Sequence, residues 1–159
     1  MQFDVIYDIG QAGCRYGFLP MIFAALTVYA AVDWARGKPW TLPGGVVQPG
    51  YSPTTGCVFF AVITALTFVL TWGSYYSLAR ALRVGTATAL EGVVTRFHRA
   101  SGPKDHESFV LDGHTFSYST YALKQGFNTL TLDGSPIADG RYVRLVYRGD
   151  HILRLEMRR

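Results

Sequence analysis

The chain has 159 residues, enough for one ordinary domain, and its 15 Lys/Arg against 11 Asp/Glu give a net charge of +4. Only eight of those charges, Asp4, Asp8, Arg15, Asp33, Arg36, Lys38, Arg80 and Arg83, fall in residues 1–90. The other eighteen crowd into 91–159, a step in charge density that marks a passage from lipid to water. Each part carries +2, so the excess leaves no concentrated basic face of the kind nucleic acid requires. Two cysteines, Cys14 and Cys57, are too few for a disulfide framework and lack metal-ligand spacing.

The first apolar segment, 16–32, runs 17 residues without a charge. Tyr16 and Trp34 bracket it as interfacial anchors, and Pro20 falls in its first turn, where a missing N–H costs little. Asp4 and Asp8 precede it with no Lys or Arg before Cys14, unlike the positive leader of a cleaved signal peptide. A first transmembrane helix is expected over about 16–34.

A second is expected over about 57–82. Thr64 and Thr67 interrupt its apolar run, but their hydroxyls can return to helix carbonyls. Trp72, Tyr75 and Tyr76 then form an aromatic belt before Arg80 and Arg83. Between the helices, 33–55 holds Pro39, Pro43, Pro49 and Pro53 and can be neither regular helix nor central strand. Trp40, Val46, Val47 and Tyr51 in this loop are candidates for lying against the membrane surface.

Two crossings return the chain to its starting side. Arg15, Arg80, Arg83, Arg96 and Arg99 flank the helices there, against Arg36 and Lys38 in the loop. Positive-inside bias therefore places both termini in the cytoplasm. The expected division is a membrane domain, 1–87, and a soluble β domain, 88–159.

From Thr88 the pattern changes to alternation, with candidate strands at 88–98, 107–111, 114–118, 142–148 and 152–157. Asp112-Gly113 between two such runs predicts a two-residue type I′ hairpin. It would oppose Leu111 to His114, Phe109 to Phe116 and Glu107 to Tyr118, gathering Phe109, Leu111, Phe116 and Tyr118 on a core face. For the last hairpin, a three-residue loop of Gly149, Asp150 and His151 would set Tyr147 opposite Leu153, Leu145 opposite Leu155 and Val143 opposite Met157. One face would then be wholly apolar. The fold class is a membrane α-helical hairpin plus a small all-β domain, a five-stranded OB-like barrel or a rolled sheet.

The strings Glu91-Gly-Val-Val, Glu107-Ser-Phe-Val-Leu-Asp-Gly-His-Thr-Phe-Ser-Tyr-Ser119, Gly126-Phe-Asn128, Gly140-Arg-Tyr-Val-Arg-Leu-Val-Tyr147 and Ile152-Leu-Arg-Leu-Glu156 resemble an uncharacterised group of small bacterial membrane proteins. The chain also resembles, more loosely, membrane-tethered OB-like domains of the NfeD kind. The first resemblance implies a bacterial inner-membrane location, and the second implies a role in assembly. Neither implies established chemistry or supplies functional residues.

His98, His106, His114 and His151 invite a metal reading, with His98 and His106 able to approach across a hairpin near Glu107. No paired His-x-His, His-Glu-x-x-His or Cys partner supports it, and no metal or other cofactor is expected. Ser108, Ser117 and Ser119 lack a nucleophile elbow, and no glycine-rich phosphate loop occurs, so an enzyme ranks third among the readings. Arg144, Arg148 and Arg154 form the candidate contact set. They would share one strand face, either simply solvated with Glu156 as partner, or meeting anionic lipid headgroups or single-stranded nucleic acid. The leading expectation is a non-catalytic membrane-anchored module whose β domain contacts a protein partner or the membrane lipid. The runner-up is a membrane-tethered OB-like binder of nucleic acid or another ligand.

Overall fold

A computed structural model describes every residue except 1, 39–40, 43–45, 48–51, 103–104 and 123. Its elements in chain order are β1 (Phe3–Asp8), α1 (Ile9–Ala12), α2 (Leu19–Ala35), β2 (Thr41–Leu42), β3 (Val46–Val47) and α3 (Pro53–Phe68). A π-helical turn, Val69–Gly73, leads into α4 (Ser74–Val84). The strands β4 (Thr88–Val93), β5 (Thr95–His98), β6 (Glu107–Leu111), β7 (His114–Tyr118), β8 (Tyr142–Arg148) and β9 (His151–Arg158) follow. Two compact units result: Tyr16–Ser74, and Met1–Arg15 together with Tyr75–Arg159.

In the helical unit, α2 begins with Pro20 in its first turn. α3 begins with a signal the sequence reading passed over: Ser52 accepts a hydrogen bond from the Thr55 N–H, and Pro53 follows it at the first helical position. The threonines bond as expected, Thr64 Oγ1 donating to the Phe60 carbonyl at 2.7 Å and Thr67 Oγ1 to that of Ile63 at 2.8 Å. Thr64 and Thr27 also bring their hydroxyls within 3.3 Å, joining α3 to α2. Thr54–Val84 forms one helix of 31 residues, long and apolar enough to cross a membrane by length and composition. α2 is a shorter apolar helix. Within the loop, Pro39, Trp40, Pro43, Pro49 and Tyr51 lie outside the described residues; Thr41 and Leu42 pair with Val47 and Val46.

The β unit holds two sheets, a four-stranded one ordered β1-β9-β8-β4 and a three-stranded one ordered β5-β6-β7. The β6–β7 hairpin has the expected register, with Leu111 opposite His114, Phe109 opposite Phe116 and Glu107 opposite Tyr118. Asp112 and Gly113 have φ of 48° and 77°, the positive pair that a type I′ turn demands. Phe109, Leu111, Phe116 and Tyr118 are all buried in the core between the sheets, joined by Phe127, Leu130, Ile137, Leu145 and Leu155.

Three differences from the expected β domain have identifiable physical causes. The strand expected over 88–98 bends at Val94, so that β4 belongs to one sheet and β5 to the other. Val94 is fully buried, its N–H donating to Arg141 O and its carbonyl accepting from Gly140 N, both at 2.9 Å. A corner tied on both sides to the loop before β8 cannot continue a straight ladder. The second difference is β1. Residues 3–8, expected within the 1–87 membrane domain, pair antiparallel with β9 and cover its outer edge. A fragment starting at residue 88 would bare that edge.

The third difference is the terminal hairpin. Val143 opposes Met157 and Leu145 opposes Leu155 as expected, but Tyr147 opposes Ile152 and Arg148 opposes His151. The three-residue loop is therefore corrected to Gly149-Asp150, with a bulge in β9 at Leu153. The expectation assumed one buried face. Here Ile152 enters the core between the sheets, while Leu153, fully buried, packs on the other side with Ile9 and Leu78 of α4. A bulge gives two successive residues opposite sides to bury, which strict alternation cannot do.

The bulge also explains Gly126-Phe127-Asn128. Phe127 N donates to Ile152 O at 2.9 Å, and Gly126 has a φ of 107° with space for no Cβ, which would lie 2.7 Å from that carbonyl oxygen. Gly126→Ala is expected to destabilise the β unit by about 2 kcal/mol or more through backbone strain and crowding. A thermal melt of the full chain in detergent, compared with Gly102→Ala at an open position, is the check; equal melting temperatures would contradict it.

Candidate functional site

The three arginines expected on one strand face divide into a pair and a single residue. Arg144, in the middle of β8, has acids on both neighbouring strands. Glu91 of β4 and Glu156 of β9 stand opposite it in the ladders. Arg144 Nε donates to Glu91 Oε2 at 2.9 Å, its Nη1 lies 3.8 Å from Glu156, and its guanidinium stacks 4.7 Å over the Phe3 ring. Arg154 donates to Glu156 Oε1 at 2.7 Å and lies 3.8 Å from Asp8 of β1. The result is a charge ladder across the four-stranded sheet, Glu91–Arg144–Glu156–Arg154–Asp8. Glu156 is 9 % exposed, so these contacts keep a largely buried carboxylate paired. Beyond the ladder, Asp4 binds Arg159 at 2.6 Å.

Arg148 stands apart from this ladder. It sits at the hairpin end of β8 and lines a cavity of about 490 Å³ with Tyr76, Ser77, Arg80, Ala81, Val84 and Thr86. Among the described residues neither Arg148 nor Arg80 has a carboxylate within ion-pair distance, unlike Arg144, Arg154, Arg159 and Lys124. Arg80 is the residue that sequence reasoning assigned to membrane topology alone. Its helix held the missing signal: α4 buries Leu78, Ala79 and Ala81, while Tyr76, Arg80 and Val84 repeat at i, i+4 and i+8 on an exposed ridge.

His98 and His106 do approach across β5 and β6, with ring centroids 5.9 Å apart. Asp105 adds one carboxylate, 3.4 Å from His106 Nδ1. The backbone N–H groups of Ser101 and His106 donate to Asp105 and hold its carboxyl below the usual range. Among the described residues no group of three or more metal-ligating side chains forms. Glu107 is not at that edge but in the core, fully buried. It accepts hydrogen bonds from Tyr118 OH at 3.0 Å, from Thr131 N at 2.9 Å and from Thr131 Oγ1. His114 is held locally by Asp112 O, and His151 by the distant Gln125 O.

What this arrangement offers chemically is attraction of an anion at the cavity. In the ladder three carboxylates outnumber two arginines, whereas the cavity brings two arginines together with no carboxylate among its lining residues. Comparison with protein-family models, with curated proteins and with solved structures finds no match to this chain.

Proposed function

We propose that the chain is a membrane-anchored, non-catalytic interaction module of a bacterial inner membrane. In this reading α2 and the helix Thr54–Val84 both cross the bilayer, and both termini and the β unit occupy the cytoplasm. The β unit is a rolled, OB-like sheet in which β4 and β5 act as one bent strand, and it meets a protein partner or the membrane surface.

The observation that carries the anchoring is the surface of the long helix. Val58, Phe59, Val62, Leu66, Phe68, Val69 and Leu70 are each more than half exposed. Seven large apolar side chains on one helix would be costly in water at about 25 cal/mol per Å², and they suit lipid. At 1.5 Å per residue, 31 residues reach about 46 Å. That exceeds a hydrocarbon core of about 30 Å and leaves room for α4 at headgroup level. The 17 residues of α2 meet the lower limit for a span.

Membranes from cells expressing the full chain should retain it in the pellet after alkaline carbonate extraction. A fluorescent-protein fusion after Arg159 should fluoresce, and an alkaline phosphatase fusion there should be inactive. Release into the carbonate supernatant would overturn the anchor, and an active phosphatase fusion would overturn the orientation.

A further inference from the structure

We propose that the cavity between α4 and the end of β8 is a binding site for the phosphate of an anionic phospholipid headgroup, gripped by Arg80 and Arg148. This rests on the membrane-anchored reading and names the surface through which the β unit meets lipid.

The first support is charge. Arg144 and Arg154 of the four-stranded sheet each bind a carboxylate, whereas Arg80 and Arg148 line a common cavity with no carboxylate within ion-pair distance among the described residues. Two guanidiniums present planar donor forks that match a phosphate's oxygens, and both are exposed and so open to a ligand. Ser77, on the same wall, adds a hydroxyl that can donate to a third oxygen.

The second support is the floor. The carboxyl end of a helix carries partial negative charge, which would repel an anion. In α4 that charge is muted: the Ala81 carbonyl accepts from Thr86 N at 3.0 Å and from Thr86 Oγ1 at 3.4 Å, with Gly85 at φ 74° making the turn. Arg83 occupies the last turn and meets the dipole there, leaving Arg80, one turn earlier, to the cavity.

The third support selects lipid over a soluble phosphate. About 490 Å³ exceeds what a bare phosphate needs and accommodates a headgroup with its glycerol. One wall is the ridge Tyr76–Arg80–Val84, in which an exposed Tyr and Val flank the cation. An aromatic, a base and an aliphatic side chain in line suit the boundary between headgroups and acyl chains.

The test uses the full chain in nonionic detergent, with bound lipid counted by native mass spectrometry after adding phosphatidylglycerol or phosphatidylcholine. Preferential retention of phosphatidylglycerol is expected, and Arg80→Gln/Arg148→Gln should lower it about tenfold or more. Arg83→Gln/Arg99→Gln removes the same charge outside the cavity and should change retention by less than about twofold. Arg80→Lys/Arg148→Lys, which keeps the charge and loses the fork, should retain an intermediate amount.

Equal loss in both Gln double variants would overturn the site in favour of general electrostatic attraction. Equal retention of the two lipids by the unaltered chain would overturn the anionic preference. Displacement of phosphatidylglycerol by equimolar glycerol 3-phosphate would assign the cavity to a soluble phosphate compound and overturn the lipid. Any of these results with the chain still resistant to carbonate extraction removes the site and leaves the anchor; release by carbonate removes both.

Discussion

Phe109→Ala is expected to cost about 3–5 kcal/mol and to leave the β unit largely unfolded at growth temperature. Phe109 is fully buried on β6, stacked on Phe116 with centroids 5.5 Å apart and edge-on to Tyr118 at 6.2 Å. Removing the ring deletes the transfer energy of a large apolar group and leaves a cavity that two rigid neighbouring rings cannot close. Domains of this size are stable by only about 5–15 kcal/mol, so the loss takes a large fraction of the total. Hydrogen exchange of the full chain in detergent should show protection lost across β5, β6 and β7. Leu132→Ala, at a position 53 % exposed, should change protection little. Retained protection in Phe109→Ala would overturn the expected loss.

The second large effect is expected at Glu107, for a different reason. Its carboxylate ties β6 to the loop after β7, taking hydrogen bonds from Tyr118 and from both the backbone and the hydroxyl of Thr131. Burial, and then the charge of Glu107, push the Tyr118 phenol well above its ordinary pKa, so Tyr118 remains a donor throughout the working pH range. Glu107→Ala would strand three donors inside the protein at about 1–3 kcal/mol each, a loss of at least about 3 kcal/mol. Glu107→Gln keeps an acceptor oxygen for Thr131 and should cost roughly half as much. Melting temperatures of the two variants in detergent separate these outcomes. If Gln and Ala are equally destabilising, the negative charge matters more than the count of satisfied donors.

Several features were legible because they are local. Asp112-Gly113 specifies a turn with two positive φ angles, and the alternation on either side specifies which residues meet, so the β6–β7 pairing and its buried face followed from twelve consecutive residues. The apolar runs also marked both helices, because a helix interior needs only continuity of composition. What the sequence by itself could not determine were the positions decided by partners far along the chain. Phe3–Asp8 is a short stretch in which Val5, Ile6 and Tyr7 break any alternation, and it becomes a strand because β9 offers it an edge and Arg154 and Arg159 offer its aspartates charge. Strict alternation misplaced the terminal turn, since nothing within 142–157 announces that Ile9 and Leu78 will cover the opposite side of the sheet at Leu153. The same holds for the arginines. Spacing put Arg144, Arg148 and Arg154 on one face with Glu156 as partner, but only tertiary packing added Glu91 and Asp8 and set Arg148 in a cavity with Arg80, because a side chain's electrostatic partners are fixed by which strands and helices come to lie next to it.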